Sequence, residues 1–282
     1  MRKPFRIALR DGKALEMGRR TLVVGVLNVT PDSFSDGGLH YESPQAVERA
    51  LQMQADGADI IEVGGESTRP GSGRISAADE LARIAPVLKE LGHQLRIPIA
   101  VDTYKSEVAR AAIDLGASIL NDVSALRFDA GIADVAAEAQ AALILMHMRG
   151  EPATMQKLAP SRDIFAEIQS DLGVALREAE ARGVKREQII LDPGIGFGKT
   201  LEQNLAILNH LDRFAPFDLP LMIGTSRKRF IGRLTGRAES ERVYGTAATV
   251  AVAILRGAHL VRVHDVREIV DVVRITDAIC AA

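Results

Sequence analysis

The stretch TLVVGVLNVTPDSFSDGG, residues 21–38, joins a buried-strand pattern to a polar loop, and the rest of the chain repeats this arrangement. Its first half is apolar, rich in β-branched residues and too short for a helix, so it predicts a fully buried strand. At Asn28 the composition becomes polar, and Pro31 with Gly37 and Gly38 predicts a loop. Taken alone, this loop fits a capped surface turn as well as it fits a binding element.

Length and composition indicate a folded protein with a large core. The chain has 282 residues, of which 47% are hydrophobic and 26% are charged. A single domain over residues 1–282 is expected, because α/β barrels commonly use roughly 250 residues for one core. The net charge of −2 gives no electrostatic case for nucleic acid or an anionic membrane as a partner.

The sequence also predicts a cytoplasmic location. Cys280 is the only cysteine, so a disulfide framework and a cysteine metal cage are not expected. The basic segment 1–13 lacks the apolar stretch of a signal peptide. No apolar run approaches the ~18 residues that a membrane span needs.

Apolar runs of strand length recur eight times and alternate with helix-like segments. The runs are LVVGVLN, DIIEVGG, IPIAVD, SILND, ALILMH, IILDP, LMIGTS and LVRVH. The helix-like segments lie at residues 44–56, 77–91, 105–115, 132–140, 163–181, 201–214, 240–256 and 266–278. This alternation predicts a closed, parallel (β/α)8 TIM barrel. Residues 1–18 are expected to form an N-terminal β-hairpin that closes the bottom of the barrel, with Asp11 and Gly12 at its turn.

Polar side chains mark the carboxyl end of every predicted strand, where barrel enzymes build their sites. They are Asn28, Glu62, Asp102, Asn121 with Asp122, His147, Asp192, residues 225–228, and Arg262 with His264. Each has a structural alternative, such as helix capping or an Asx-turn, and His147 is interpreted as a hydrogen-bonded core histidine. Eight such groups at one rim favour a shared site over eight separate structural roles.

The residue types at this rim indicate a flat heterocycle, an anionic group and a metal. Asn and Asp side chains suit the hydrogen-bonding edge of a pterin or purine. Cationic donors for phosphate or carboxylate are Arg69, Lys228, Arg262 and His264. Asn28 and Asp32 offer the hard oxygens that a phosphate-bound Mg²⁺ prefers. The loop DPGIGFGKT is not a nucleotide-binding P-loop, because Pro193 replaces the first glycine of that motif.

Taken together, these segments resemble the dihydropteroate synthase family of folate biosynthesis, the target of sulfonamides. The resemblance extends from Val26 to about Val270 and rests on GVLNVTPDSFSDGG, GGESTRPG, VDTYK, NDV, LMHM, DPGIGFGK, SRK and RVHDV. It implies a Mg²⁺-dependent transferase that joins (7,8-dihydropterin-6-yl)methyl diphosphate to 4-aminobenzoate, giving 7,8-dihydropteroate and diphosphate. It also implies a homodimer. We expect an SN1-like path, because the aryl amine is already neutral and the demanding step is departure of a multiply charged group.

The resemblance further implies roles for individual residues. Those implied in pterin binding are Asp102, Asn121, Met146, Asp192, Phe197, Lys228 and Arg262. Those implied in diphosphate binding are Thr68, Arg262 and His264. Those implied in 4-aminobenzoate binding are Phe34, Arg69, Pro70 and Ser226. Asn28 and Asp32 are implied to hold the metal, and the catalytic contributions are expected from Arg262, His264, Lys228 and Asp102.

Two alternatives have a different function. A pterin-dependent methyltransferase would share the ring-binding Asp and Asn residues, but it has no use for the loop that carries Arg69 or for the loop 31–38. An inactive pterin-binding paralogue should have lost metal or diphosphate positions, and all of these positions are present.

Overall fold

Eight parallel strands form the centre of the computed structural model, which describes residues 2–30, 42–68, 71–158 and 160–282. The strands are β1 (Phe5–Ala8), β2 (Ala14–Met17), β3 (Leu22–Asn28), β4 (Ile60–Gly64), β5 (Ile99–Asp102), β6 (Ile119–Asp122), β7 (Ala142–Met146), β8 (Ile189–Asp192), β9 (Met222–Ile223) and β10 (Leu260–Val263). The described helices are α1 (Glu42–Ala55), α2 (Ala77–Gln94), α3 (Ser106–Asp114), α4 (Gly131–Ala139), α5 (Ile164–Ala181), α6 (Leu201–Asn209), α7 (Arg229–Thr235), α8 (Val243–Leu255) and α9 (Val266–Ala281).

The parallel strands close into a barrel. Their order is β8, β7, β6, β5, β4, β3, β10 and β9. Leu191 of β8 and Leu221, which directly precedes β9, form a parallel bridge that joins the two ends of this order. Strands β1 and β2 pair antiparallel, from Phe5 opposite Met17 to Ala8 opposite Ala14. The predicted (β/α)8 barrel with an N-terminal hairpin is therefore confirmed.

The structure differs from the prediction around the seventh strand. Of the run LMIGTS, only the bridging residue Leu221 and the two residues of β9 pair in the sheet, because the chain turns away after Gly224 and Arg227 has a left-handed backbone with φ of +57°. Helix α7 follows immediately and was not predicted, since seven residues are too few to show a helical period. Its Phe230 and Ile231 are buried in the core.

The barrel interior has two layers of opposite polarity. The first, called here the apolar layer, belongs to one hydrophobic cluster and consists of Leu22, Val24, Ile60, Ala100, Ile119, Ala142, Ile144, Ile190, Met222 and Leu260. Residues two positions apart in a strand point to the same side. The next inward positions form what is called here the carboxyl-end layer, and they are Val26, Glu62, Asp102, Asn121, Met146, Asp192, Gly224 and Arg262. The β period therefore places polar groups directly above the apolar layer.

The hairpin lies against the opposite, amino end of the barrel. Its buried side chains Ile7, Leu9, Leu15 and Met17 belong to the same hydrophobic cluster as the apolar layer. Burial of side chains of this size contributes roughly 1.5–3 kcal/mol each. Within the described ranges, no helix is both long enough and apolar enough to cross a membrane.

Candidate active site

Two adjoining cavities lie above the carboxyl-end layer. The larger is a cleft of about 1080 Å³, and the smaller is a narrow space beside it. They share the lining residues Thr68, Asp102, Phe197, Gly224, Lys228 and Arg262. Residues from the carboxyl end of the barrel therefore surround one continuous depression, although the rim residues Glu62, Asp122 and His147 line neither cavity.

The predicted site residues converge on these cavities. Those that line the cleft are Asn28, Thr68, Asp102, Phe197, Ser226, Lys228, Arg262 and His264. Asn121, Met146 and Asp192 line the smaller cavity. Asp32, Phe34, Arg69 and Pro70 lie outside the described residues. Every predicted site residue that the structure describes thus contributes to this depression.

Arg262 of β10 is held between two carboxylates. Its Nε donates to Glu62 Oε1 at 2.6 Å, and its Nη2 donates to Asp102 Oδ2 at 3.0 Å. Burial disfavours the guanidinium charge, but the carboxylates of Glu62 and Asp102 outweigh this and hold the pKa of Arg262 above its ordinary value. The site therefore contains a permanent positive charge at its base.

Asn121 of β6 is fixed by the same glutamate. Its Nδ2 donates to Glu62 Oε2 at 2.9 Å, while its Oδ1 is buried and has no hydrogen-bond partner among the described residues. Glu62 itself is fully buried in β4. The sequence shows Glu62 at the rim, but no role was predicted for it. The available signal was a carboxylate inside the otherwise apolar run IIEVG, because a buried charge must be paired.

The two aspartates of the carboxyl-end layer are hard to ionise. Burial, reinforced by the Glu62 carboxylate, raises the pKa of Asp102 well above its usual range. Burial also raises the pKa of Asp192 to about 6, although the backbone N–H of Gly194 and the charges of Lys228 and Arg262 act in the opposite direction. Gly194 donates this hydrogen bond to Asp192 Oδ1 at 2.7 Å. Both carboxylates lie where a ligand's N–H groups would stabilise their charged form.

The glycine-rich loop after β8 carries the aromatic ring of Phe197, and the segment between β9 and α7 places the ammonium group of Lys228 against this ring. Lys228 Nζ lies 4.0 Å from the centre of the Phe197 ring, in cation–π geometry. Gly194 has φ of +69°, and a Cβ at this position would lie 1.8 Å from the backbone oxygen of His147. Gly196 has φ of +86°, and a Cβ there would lie 3.1 Å from Lys228 Cδ. These contacts show why the loop needs glycine at both positions.

His264, predicted as a cationic donor, carries no charge in the ligand-free protein. Its Nδ1 lies 3.0 Å from Ser226 Oγ, which also accepts from the His264 backbone N–H at 3.1 Å. Burial lowers the pKa of His264 to about 3, and the charges of Arg262 and Arg227 add to this effect. The ring is therefore neutral at neutral pH in the ligand-free protein, and donation from a cationic His264 to a bound anion stays a prediction.

Comparison with known proteins identifies the family to which this geometry belongs. The chain matches the family model described as pterin binding enzyme over residues 24–264. It is 46% identical to the dihydropteroate synthase of a Synechocystis strain over 265 residues, which cover 94% of this chain and 92% of the relative. The chain belongs to the dihydropteroate synthase family.

Solved structures of the family agree with this assignment. A crystal structure of the Clostridium difficile dihydropteroate synthase in the presence of pteroic acid has a TM-score of 0.89 at 43% identity, covering 94% of this chain and 98% of that chain. The Xanthomonas albilineans dihydropteroate synthase with 4-aminobenzoic acid has a TM-score of 0.91 at 40% identity, covering 99% of this chain and 100% of that chain. The resemblance drawn from the motifs is confirmed.

Lys199 is a further feature of the site for which no role was predicted. It ends the glycine-rich loop, is 7% exposed, and donates through Nζ to the backbone oxygens of Gly194 at 2.8 Å and Phe197 at 3.2 Å. Burial lowers the pKa of its ammonium group to about 7. These hydrogen bonds from Lys199 therefore stabilise the conformation of the glycine-rich loop, which lines the site.

Among the described residues, one group of side chains has ligand atoms close enough to hold a metal. It consists of His147, Glu167 and Asp171, whose ligand atoms lie within 4.8 Å of one another. His147 is buried, as predicted, but the expected hydrogen bonds are missing, because neither ring nitrogen has a hydrogen-bond partner among the described residues; its Nε2 lies 3.3 Å from Asp171 Oδ2. These three side chains do not line the cleft or the smaller cavity.

Proposed function

We propose that this chain condenses (7,8-dihydropterin-6-yl)methyl diphosphate with 4-aminobenzoate to give 7,8-dihydropteroate and diphosphate. The observation that carries the proposal is that hydrogen-bond acceptors for a flat ring and cationic donors for an anion line the same depression. The family membership supports it. So do the relatives' structures, one with pteroic acid and one with 4-aminobenzoic acid.

The smaller cavity is the proposed pterin site. Asp102, Asn121 and Asp192 supply acceptors there, and Met146 and Phe197 supply apolar surface. A ring without matching N–H groups would leave these buried polar atoms unpaired, which makes such a site selective. Lys228 is the proposed donor to acceptor atoms of the same ring.

The cleft beside it is the proposed diphosphate site. Arg262 provides the permanent positive charge, and Thr68 and His264 line the same space. Because the low pKa of His264 results from burial and from neighbouring cations, an incoming diphosphate anion would favour protonation of the ring. These donors would stabilise the negative charge that develops on the leaving group, consistent with the SN1-like path.

No general base is required in this scheme, because the aryl amine is neutral near pH 7. Asp102 would act as an electrostatic partner of the pterin, and the electron-rich ring would stabilise the cationic methylene. Ser226 borders the cleft and is the described member of the proposed 4-aminobenzoate site. The roles of Phe34, Arg69 and Pro70 at that site rest on the family resemblance.

The metal expected on the diphosphate is Mg²⁺, and Asn28 is suited to hold it. A Cβ built on Gly64 would lie 3.8 Å from Asn28 Oδ1 and 4.0 Å from Asp102 Oδ2, so both oxygens lie close to Gly64, and both residues line the cleft. Mg²⁺ keeps several waters and needs few protein ligands when a substrate's phosphates bind it, so one amide oxygen, with Asp32 as its predicted companion, fits. Bound there, Mg²⁺ would neutralise charge on the diphosphate. The group around His147 does not border the cleft, and we therefore place the metal at Asn28.

We also propose that the chain forms a homodimer through α8 and α9. These helices pack against each other, and each carries large apolar side chains that are more than half exposed. They are Tyr244, Leu255, Ile275 and Ile279. Apolar residues grouped on adjacent helices are typical of protein–protein interfaces. Sedimentation velocity should show a dimer, and Leu255→Glu should shift it to monomer.

A cytoplasmic location stays a prediction from the sequence.

The decisive experiment measures diphosphate release from the dihydropterin substrate, with and without 4-aminobenzoate and Mg²⁺. We expect sustained release that requires both, because 4-aminobenzoate captures the cationic methylene before diphosphate recombines with it, together with formation of 7,8-dihydropteroate in equal amount. Binding of pteroic acid without any turnover would instead indicate the inactive pterin-binding paralogue. Methyl transfer from a reduced folate would indicate the methyltransferase.

A further inference from the structure

We infer that Glu62 is a positioning residue that determines ring specificity, because it fixes which atom of the Asn121 amide faces the smaller cavity. This inference rests on the proposed function, since it takes the smaller cavity as the ring site. Glu62 reaches no substrate in the proposed arrangement and acts through Asn121 and Arg262.

The chemistry of the Glu62 carboxylate determines how the Asn121 amide is oriented. Its side chain is fully buried and contacts Arg262 through Oε1 and Asn121 through Oε2. A carboxylate paired with a guanidinium offers acceptors only. The Asn121 atom that faces it at 2.9 Å is therefore the Nδ2 donor, because two oxygens at this distance would repel each other.

This orientation also determines which atom of Asn121 is available to a ligand. With Nδ2 bound to Glu62, the carbonyl oxygen Oδ1 of Asn121 is buried without a hydrogen-bond partner among the described residues. Asn121 lines the smaller cavity. A buried acceptor without a partner is unfavourable, and a ligand N–H that reaches it removes this penalty. The cavity therefore selects a ring that presents a donor at this point, and Glu62 is the cause of that selection.

The Glu62 carboxylate influences both the smaller cavity and the cleft. Glu62 Oε1 orients the Arg262 guanidinium, which lines both the smaller cavity and the cleft. The alignment of the ring and the position of the charge beneath the leaving group are therefore set by the same side chain. A substitution of Glu62 should therefore change the KM for the dihydropterin substrate far more than the KM for 4-aminobenzoate.

The variant Glu62→Gln tests the orientation directly. Its amide oxygen can still accept from Arg262, and its NH2 group then faces Asn121. The Asn121 amide has to turn so that Oδ1 accepts this bond, which leaves Nδ2 facing the cavity. We expect the affinity for pteroic acid, measured by fluorescence titration, to fall at least tenfold. The KM for the dihydropterin substrate should rise by a similar factor, and the KM for 4-aminobenzoate should change less than threefold.

Glu62→Gln should in turn rescue the Asn121→Asp variant. In the double variant with Glu62→Gln and Asn121→Asp, the Gln NH2 donates to one carboxylate oxygen of Asp, and the other oxygen faces the cavity as an acceptor again. The double variant should bind pteroic acid at least tenfold more tightly than the Asn121→Asp single variant, in which two carboxylates meet. This comparison also decides the inference if Glu62→Gln alone does not fold.

Glu80→Gln is the matched control. Glu80 is likewise a buried carboxylate that pairs with a cation, Lys105, but it lies on α2 and lines neither cavity. The affinity of the Glu80→Gln variant for pteroic acid should stay within twofold of the wild-type value. An equal loss in this control, unchanged affinity in Glu62→Gln, or absence of rescue would overturn the inference. Failure of the wild-type chain to bind pteroic acid would count against the proposed function instead.

Discussion

The two inner layers of the barrel are built on the same strands, two residues apart. The apolar layer stabilises the fold, whereas the carboxyl-end layer forms the candidate site. The apolar layer holds aliphatic side chains such as Ile144 and Ile190, which are almost completely buried and belong to one cluster. The carboxyl-end layer buries Glu62, Asp102 and Asp192 at nearly the same depth. Buried carboxylates lower stability unless they are paired, whereas buried aliphatic groups raise it. Stability and chemistry are therefore assigned to different layers of the same barrel.

The largest effect is expected from Arg262→Ala, which removes the positive charge from the carboxyl-end layer. Loss of one preorganised charged donor typically raises the barrier by about 3 kcal/mol, so turnover per folded molecule should fall by about two orders of magnitude or more. Diphosphate release at saturating substrates measures this. The folded fraction should be determined in parallel, because Glu62 and Asp102 lose their cation. Arg256→Ala, at an exposed position after α8, is the control and should retain full turnover. Near-normal turnover of Arg262→Ala would show that the carboxyl-end layer does not carry the chemistry.

A smaller effect is expected from acid, acting through Asp192. Its pKa is raised to about 6, so it gains a proton at a higher pH than an ordinary aspartate and then loses its capacity to accept from the ring. Pteroic acid affinity should fall as the pH drops below about 6, approaching tenfold per pH unit. Asp192→Asn should bind weakly at pH 8 and lose the change in affinity near pH 6, as fluorescence titration between pH 5 and 8 would show.

The same variant tests the stability side of the comparison. Because the folded state binds this proton more tightly than the unfolded state, the contribution of Asp192 to stability is greatest in acid and is lost as the pH rises through about 6. Asp192→Asn should therefore be at least as stable as wild type at pH 8 in urea denaturation. A clear loss of stability at that pH would mean that the ionised carboxylate supports the fold.

The smallest effect is expected from Ile144→Val in the apolar layer. Removing one buried methylene should lower the free energy of unfolding by about 0.5–1.5 kcal/mol. Turnover and pteroic acid affinity should stay within twofold of wild type, since the position lies below the site. Urea denaturation and the diphosphate assay together check this. A loss of activity without a loss of stability would contradict the separation of the two layers.

Much of the fold could be predicted because its signals are local. Eight apolar runs of strand length, separated by helical periods, leave few arrangements other than a closed parallel barrel, and Asp11 with Gly12 indicates the hairpin turn. Helix α7 was missed because it is short and its pattern depends on burial of Phe230 and Ile231. The helix predicted at residues 201–214 ends at Asn209, and a 3-10 segment, Leu211–Phe217, follows it.

The candidate site was predicted from strand ends and from the family motifs, and its convergence followed from the barrel. The properties that were missed all depend on neighbours distant in sequence. The neutral state of His264 results from burial beside Arg262 and Arg227, and the part played by Glu62 results from contacts with β6 and β10. No spacing along the chain encodes these distances.

The sequence by itself determined the order of strands and helices, the hairpin and the identity of the side chains at one mouth of the barrel, because hydrophobic period and turn chemistry act over a few residues. Only the tertiary structure decided which of those side chains face each other. It sets their desolvation and their partners, and these in turn decide which groups are charged, which are paired, and which are left to meet a ligand.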